Sequence, residues 1–418
     1  MNGQMTGFLA ERVGGLATRA ATVALLFCAA SAFAAPAAQQ PATAALADLG
    51  AKIFSDTSLS ASGQMACASC HDPAHAHAQS NAAAVQSGGA NLDVAGFRAV
   101  PSLRYLNFNV PFFFASDGTP TGGFNRDGRA KDLIAQSDRP FLAPHEMANA
   151  DAASAVARLA LSQYVGQFRG LFGADIFADP DRAFLAMRYA VSVFENTASQ
   201  FRPFSSKFDL FLKGKIKLTT QELRGYAWFN SQAKGGCAGC HPSKRPSDGS
   251  PPVFTDYTYD NLGVPRNVQI PANLDPTYFD MGLCGPERTD LLDRGDLCGQ
   301  FKVPTLRNVA TRQVIFHNGQ FHTLREAIQF YVQRDTNPEK WYPLDVDGQP
   351  LKFDDVPWPF QRNVNQSEVP YNRLPGDQPA LSEAEIDDVV VFLGTLTDGY
   401  DPMTNTADPA RDVPPVEE

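Results

Sequence analysis

The sequence contains the same short string twice, as Cys67-Ala-Ser-Cys70-His71 and as Cys237-Ala-Gly-Cys240-His241. Each is Cys-x-x-Cys-His, the attachment signature of a c-type haem. Two thiols add to the two vinyl groups of one porphyrin, and the adjoining imidazole is placed to bind the iron from one face. Two intervening residues let both sulfurs reach one ring edge within a single turn. A lone Cys-x-x-Cys could be a zinc knuckle or a redox dithiol. The His after the second Cys, occurring twice, favours two covalently bound haem c groups. A chain of 418 residues is long enough to wrap each in a domain of its own.

The remaining cysteines speak for export. Arg12 and Arg19 precede an apolar run from Ala20 to Phe33 that ends in the small-x-small site Ala32-Phe33-Ala34. This reads as a signal peptide over 1–34, cleaved near Ala34 to give a periplasmic product. Cys28 lies inside the run and would be discarded, leaving Cys284 and Cys298 beside the four haem cysteines. Close in sequence and in an exported protein, they are expected to pair as a disulfide pinning a loop. No later segment has the apolar length needed to span a bilayer. Net charge is -10, which argues against nucleic acid. It suits a small basic electron carrier as partner, or serves solubility alone.

Helical periodicity and caps predict helices near 43–54, 133–136 (N-capped by Asp132), 152–168 and 182–200. Others are predicted from the Thr219-Thr-Gln-Glu222 capping box to Phe229, from Thr323 to Tyr331, and from the Ser382-Glu-Ala-Glu385 box to Leu396. No sustained alternating pattern appears, so the fold class is all-α, with long irregular loops. An internal repeat runs through the chain. Gly50-x-x-x-Phe54 before the first haem motif matches Gly225-x-x-x-Phe229 before the second. Val100-Pro-Ser-Leu-Arg104 matches Val303-Pro-Thr-Leu-Arg307, and Asp127-Gly128 with Leu133 matches Asn318-Gly319 with Leu324. The economical account is two cytochrome c-like haem domains in tandem, over 35–202 and 203–400, with a frayed tail over 401–418.

These residues resemble the bacterial di-haem cytochrome c peroxidases, especially their MauG-like branch. The resemblance spans Gly50 to Leu396. It is carried by both haem motifs, Asp127-Gly-Arg129, Gln136, Pro144-His-Glu146-Met147, Phe301-Lys-Val-Pro-Thr-Leu-Arg-Asn308, Phe316-His-Asn-Gly319 and Thr323-Leu-Arg-Glu326. It implies peroxide chemistry at the N-terminal haem and electron storage at the C-terminal one, with His71 and His241 as proximal ligands. Tyr331, in the register where peroxidases place a Met, is implied as the second ligand of the C-terminal iron; Met281 is the rival thioether. Gln136 and Glu146 match the distal pair, Gln136 orienting hydrogen peroxide and Glu146 moving its proton. The reductively activated peroxidases block the first haem with a downstream His. His75 and His77 follow His71 too closely for that, so they are read as solvated loop residues and the first iron as open. His145 is left as either a further proton donor or an exposed side chain.

Three positions depart from the family pattern. Asn125 and Arg126 stand where an inter-haem Trp is usual, so electrons need another route, such as Phe124. Ala99 and Arg312-Gln-Val314 replace usual calcium ligands, which leaves calcium open and disfavoured. Gly235 stands where MauG has the Trp through which it oxidises its substrate, with Trp228 nearby. The expected function is reduction of hydrogen peroxide with electrons from a small cytochrome c or cupredoxin. The alternatives are MauG-like oxidation of Tyr or Trp side chains on a partner protein, and a non-enzymatic di-haem electron carrier.

Overall fold

A computed structural model describes residues 36–411; the proposed signal peptide and Cys28 lie outside them. The two longest helices of the first half, Pro36–Ser55 and Pro180–Thr197, cross at Gly50. A Cβ there would overlap the Ala190 carbonyl. The helices Thr220–Asn230 and Glu383–Gly394 cross in the same way at Gly225, where a Cβ would overlap the Asp388 carbonyl. One turn later Phe54 and Phe229 enter their cores at 2% and 1% exposure, so the sequence repeat is the repeat of one helix crossing. Each crossing leads directly into a Cys-x-x-Cys-His motif.

The two largest apolar clusters are built from separate stretches of chain. Leu49, Phe54, Met187 and Phe201 belong to the first, and Phe208, Phe229, Ile386 and Phe392 to the second. Burial of such side chains, worth about 1.5–3 kcal/mol each, holds the helices around the space between. Four two-residue antiparallel pairs are the described strands, so the protein is helix-rich with long irregular connections.

Local chemistry sets most helix starts. Asp132 Oδ1 accepts from Ala135 N at 2.7 Å and Asp151 Oδ1 from Ser154 N at 2.7 Å. The boxes at Thr219/Glu222 and Ser382/Glu385 form as expected, and Thr323 caps Leu324–Gln333. The helix expected over 152–168 is instead two, Ala152–Leu159 and Val165–Phe172. Leu159 and Phe168 are both fully buried, yet nine residues amount to about two and a half turns. A continuous helix would put them on opposite faces, so the chain breaks between them and leaves Leu161 87% exposed. The segment expected to fray after Asp401 is a hairpin, Tyr400–Asp401 against Thr406–Ala407. Cys284 and Cys298 form the expected disulfide. No helix among the described residues is long and apolar enough to cross a membrane.

Candidate functional site: a cavity shared by both haem motifs

A continuous cavity of about 1060 Å³ is lined by Cys67, Cys70 and His71 from one half and Cys237, Cys240 and His241 from the other. All four cysteines are free. Burial pushes the Cys70 thiol up to about 11 and those of Cys237 and Cys240 up to about 12. Among the described residues no three His, Cys, Asp or Glu side chains converge as a metal-ion site.

Each imidazole is held from behind. His71 Nδ1 lies 3.1 Å from the His77 carbonyl and His241 Nδ1 lies 2.8 Å from the Phe254 carbonyl. Committing Nδ1–H to a carbonyl leaves Nε2 as the nitrogen free to accept a metal and fixes the ring plane. The two Val-Pro-x-Leu-Arg strings brace the loops that supply those carbonyls. Ser102 Oγ donates to Ala76 O at 2.6 Å, and Thr305 Oγ1 donates to Val253 O at 2.6 Å. Two thiols and one oriented imidazole per motif form the donor set of a c-type haem, so the residues present fit that group twice.

Gln136 and Glu146 both line the cavity. Gln136 ends the short helix Leu133–Gln136, and its amide has no partner among the described residues. Glu146 is set by a tight turn, its N–H donating to Ala143 O at 2.9 Å, with Oε1 3.5 Å from His145 Nε2. His145 also lines the cavity, its ring edge-on to Phe97 at 5.1 Å, so it is a neighbour of Glu146 rather than a free surface group. Gly88 packs under this turn. A Cβ on it would sit 2.5 Å from the His145 carbonyl and 2.7 Å from that of Glu146.

Tyr331 lines the cavity beside Phe316 and Tyr371, at ring separations of 5.5 and 5.9 Å. Its hydroxyl has no hydrogen-bond partner among the described residues. Burial first, then the nearby Cys240 and Cys237 thiols, push its ionisation up. Met281 does not line the cavity.

His77 departs from expectation. It is 1% exposed, not a solvated loop residue, and its ring packs 4.2 Å from Phe201 with neither nitrogen partnered. Burial, then the charge of Arg104, pushes its protonation down to about 3. It serves as backbone support for His71 and does not reach the cavity. His75 does line it, with Nδ1 3.0 Å from Asp72 Oδ2. Phe124, Asn125 and Arg126 all border the cavity, whereas Trp228 does not. The sequence leaves calcium open and disfavoured, and the segments concerned offer few oxygens. Ala99 supplies no side-chain oxygen, and the carbonyls of Ala99, Val100 and Val314 already accept from arginine nitrogens. Sequence reasoning missed Glu195, 5% exposed at the cavity wall, whose carboxyl burial raises to about 8.

Comparison with known proteins agrees with this construction. The family model described as di-haem cytochrome c peroxidase matches residues 44–217. The methylamine utilization protein MauG of Paracoccus denitrificans is 35% identical over 378 residues, covering 87% of this chain and 92% of that protein. The chain belongs to the di-haem cytochrome c peroxidase family. The cytochrome c551 peroxidase of Nitrosomonas europaea, another relative, is 30% identical over 304 residues, 72% of this chain and 76% of that one. Among solved structures, the diheme peroxidase BthA from Burkholderia thailandensis superposes with a TM-score of 0.77 at 37% identity, over 87% of this chain and 89% of that one. Membership of this family makes the chain a haem-dependent oxidoreductase of the c-type di-haem class.

Proposed function

We propose that this is a periplasmic di-haem peroxidase that reduces hydrogen peroxide at the haem of Cys67, Cys70 and His71. Electrons enter through the haem of Cys237, Cys240 and His241 from a small redox protein such as a cytochrome c or cupredoxin. Each haem has its own unit, over 35–202 and 203–400. Tyr331 would help to hold the C-terminal haem as an oxygen donor to its iron, with its ring at the cavity wall. The observation that carries the reading is the contrast between two uncommitted groups. The Gln136 amide is unpartnered at the cavity in the first half, and the Tyr331 hydroxyl is unpartnered at the cavity in the second.

Bound haem supplies the electrons and the Lewis acid for cleaving the O–O bond. The Gln136 amide orients the peroxide by hydrogen bonding. Glu146 takes the proton from the near oxygen and returns it to the far one, so that water can leave. His145, 3.5 Å from Glu146, holds the carboxylate in place and helps to relay protons to it. The His77 and Phe254 carbonyls keep His71 and His241 in the ligating tautomer.

A second reading, peroxide-driven oxidation of Tyr or Trp side chains on a partner protein, draws support from Tyr331 and from the 35% identity to a MauG. The third, a non-enzymatic electron carrier, leaves Gln136 and Glu146 without a role. Optical and electron spin resonance spectra of the resting ferric protein test the shared basis. One high-spin haem and one with an oxygen sixth ligand are expected. Two six-coordinate low-spin haems inert to peroxide would overturn the reading in favour of the carrier. Fast steady-state peroxide consumption with reduced cytochrome c selects the first reading. A long-lived two-electron-oxidised state with little turnover of small donors selects the second.

A further inference from the structure

Most cations at the cavity have a carboxylate partner. Arg98 pairs with Asp127 and Asp280, Arg129 with Asp127, Arg104 with Asp398, and Arg307 with Asp209. Three cavity-lining cations have none among the described residues. Arg126 Nε donates to the Ala99 carbonyl at 3.0 Å, and its two terminal nitrogens have no acceptor. Arg312 donates Nη2 to Val100 O at 2.7 Å and Nε to Val314 O at 3.2 Å, leaving Nη1 unused. Lys302 Nζ donates to Gly123 O at 2.8 Å, and its own N–H to the Arg126 carbonyl at 2.8 Å. The three stand where the halves meet, since Arg312 of the second half reaches Val100 of the first.

This arrangement is costly as it stands. Burial depresses all three, and repulsion from Arg312 and Arg98 adds to it for Arg126; Asp280 offsets part of this for Arg126 and Asp127 part for Lys302, without direct contact. Neutral carbonyls satisfy N–H groups but cancel no charge, and a buried cation without a contacting anion is costly. The site has room for anions. Thioether bonds to the Cys pairs fix one edge of each porphyrin, and the opposite edge of a haem carries two propionates.

We propose that Arg126, Arg312 and Lys302 form a cationic bridge at the seam that binds the propionate carboxylates of both haems and takes the place of a bridging divalent ion. The bridge rests on the two-haem reading above. The free terminal edge of Arg126 offers the forked geometry that carboxylates accept, and Arg312 adds the single donor Nη1. A calcium ion needs 6–8 oxygen ligands. Here the local carbonyls are already engaged, and its charge would add to three positive ones. Arg126 therefore has a use in the position that lacks the inter-haem Trp.

The test uses holoprotein. A haem count below two per chain by alkaline pyridine spectrum would defeat the underlying reading and not the bridge alone. With two haems present, Arg126→Gln and Arg312→Gln should each lower the midpoint potential of at least one haem, because a nearby positive charge disfavours the ferric state. The expected change is about tenfold in the reduction equilibrium, or 59 mV for one electron. Arg126→Lys, which keeps the charge and loses the fork, and Arg312→Lys, which keeps the charge and loses the fixed Nη1, should recover most of the potential while shifting the propionate bending bands in resonance Raman spectra. Those two variants also serve if the Gln variants do not mature. Exhaustive chelation should leave both potentials of the unsubstituted protein unchanged. Potentials indifferent to the Gln variants, Raman bands unmoved in the Lys variants, or stoichiometric calcium whose removal shifts a potential would each overturn the proposal.

Discussion

Arg104 Nη1 lies 2.9 Å from Asp398 Oδ2, joining the two halves of the chain across 294 residues of sequence. The same carboxylate accepts from Tyr105 Oη at 2.7 Å and from Asn308 Nδ2 at 2.6 Å. Arg104 and Arg307 end the two copies of the repeated Val-Pro-x-Leu-Arg string, yet their partners differ. Arg307 is bidentate to Asp209 inside its own half, whereas Arg104 reaches across. Asp398→Ala would leave a buried guanidinium and a buried phenol uncompensated, since both side chains of the pair are at most 4% exposed. A loss of about 3–5 kcal/mol is expected. A denaturant midpoint unmoved from the parent would show that the seam does not depend on this residue.

The matched helix crossings give a second prediction. Gly50→Ala and Gly225→Ala each drive a methyl into the backbone of the facing helix, with no flexible side chain to yield. Overpacking of this kind costs about 1–3 kcal/mol or more. Because each crossing leads into a haem motif, loss of haem from the motif that follows should accompany the loss of stability. Peptide mapping of haem attachment in the two variants separates the sites. Loss from the wrong motif, or none, would disconnect crossing from attachment.

Glu146→Gln keeps the shape of the distal turn and removes the proton acceptor. Positioned acid–base groups contribute about 10²–10⁴-fold, and a slowing of that order in the reaction with peroxide is expected, with both haems still attached. Stopped-flow spectra read it directly. Unchanged rates would remove Glu146 from the mechanism. Gly88→Ala should imitate the effect from outside the cavity by pushing the backbone of His145 and Glu146 aside.

Much of this was legible in the sequence because attachment chemistry needs fixed spacings. The Cys and His residues, the capping boxes, the disulfide and the helix before each motif follow from local pattern. The parts that did not show depend on what a residue meets from far away. His77 looks like one more polar loop residue; only the rings of Phe54 and Phe201 around it make it a core histidine. Glu195 sits four residues after Val191 on an apolar helical stripe, and that placement was the one signal available. Arg126 and Arg312 read as departures from a family pattern, and the shared seam at Ala99 and Val100 appears only in three dimensions.

Glu195 yields a pH prediction whose sign is opposite to that of an ordinary paired carboxylate. Its folded-state value is raised by burial to about 8 from the usual 4.5, so the folded protein keeps a proton that the unfolded chain gives up. The contribution to stability is whole below the unfolded value and is lost as pH rises toward the folded one. Unfolding free energy should therefore fall between about pH 4.5 and pH 8 through this residue. Glu195→Gln removes the ionisation and keeps the volume, so the slope in that window should flatten and the variant should gain on the parent toward pH 8.

On the proposed ligation, Tyr331→Met exchanges a hard anionic oxygen donor for a thioether. Phenolate favours the oxidised metal, whereas thioether raises the potential and favours the reduced state. Burial holds the Tyr331 proton on when no cation is near. The phenolate then forms only with iron to compensate it, and loss of its absorption on reduction would report that dependence. The midpoint potential of the C-terminal haem should rise in the Met variant while the N-terminal haem, bound through His71, stays where it was. A variant with both potentials unchanged would mean that the phenol never met the metal.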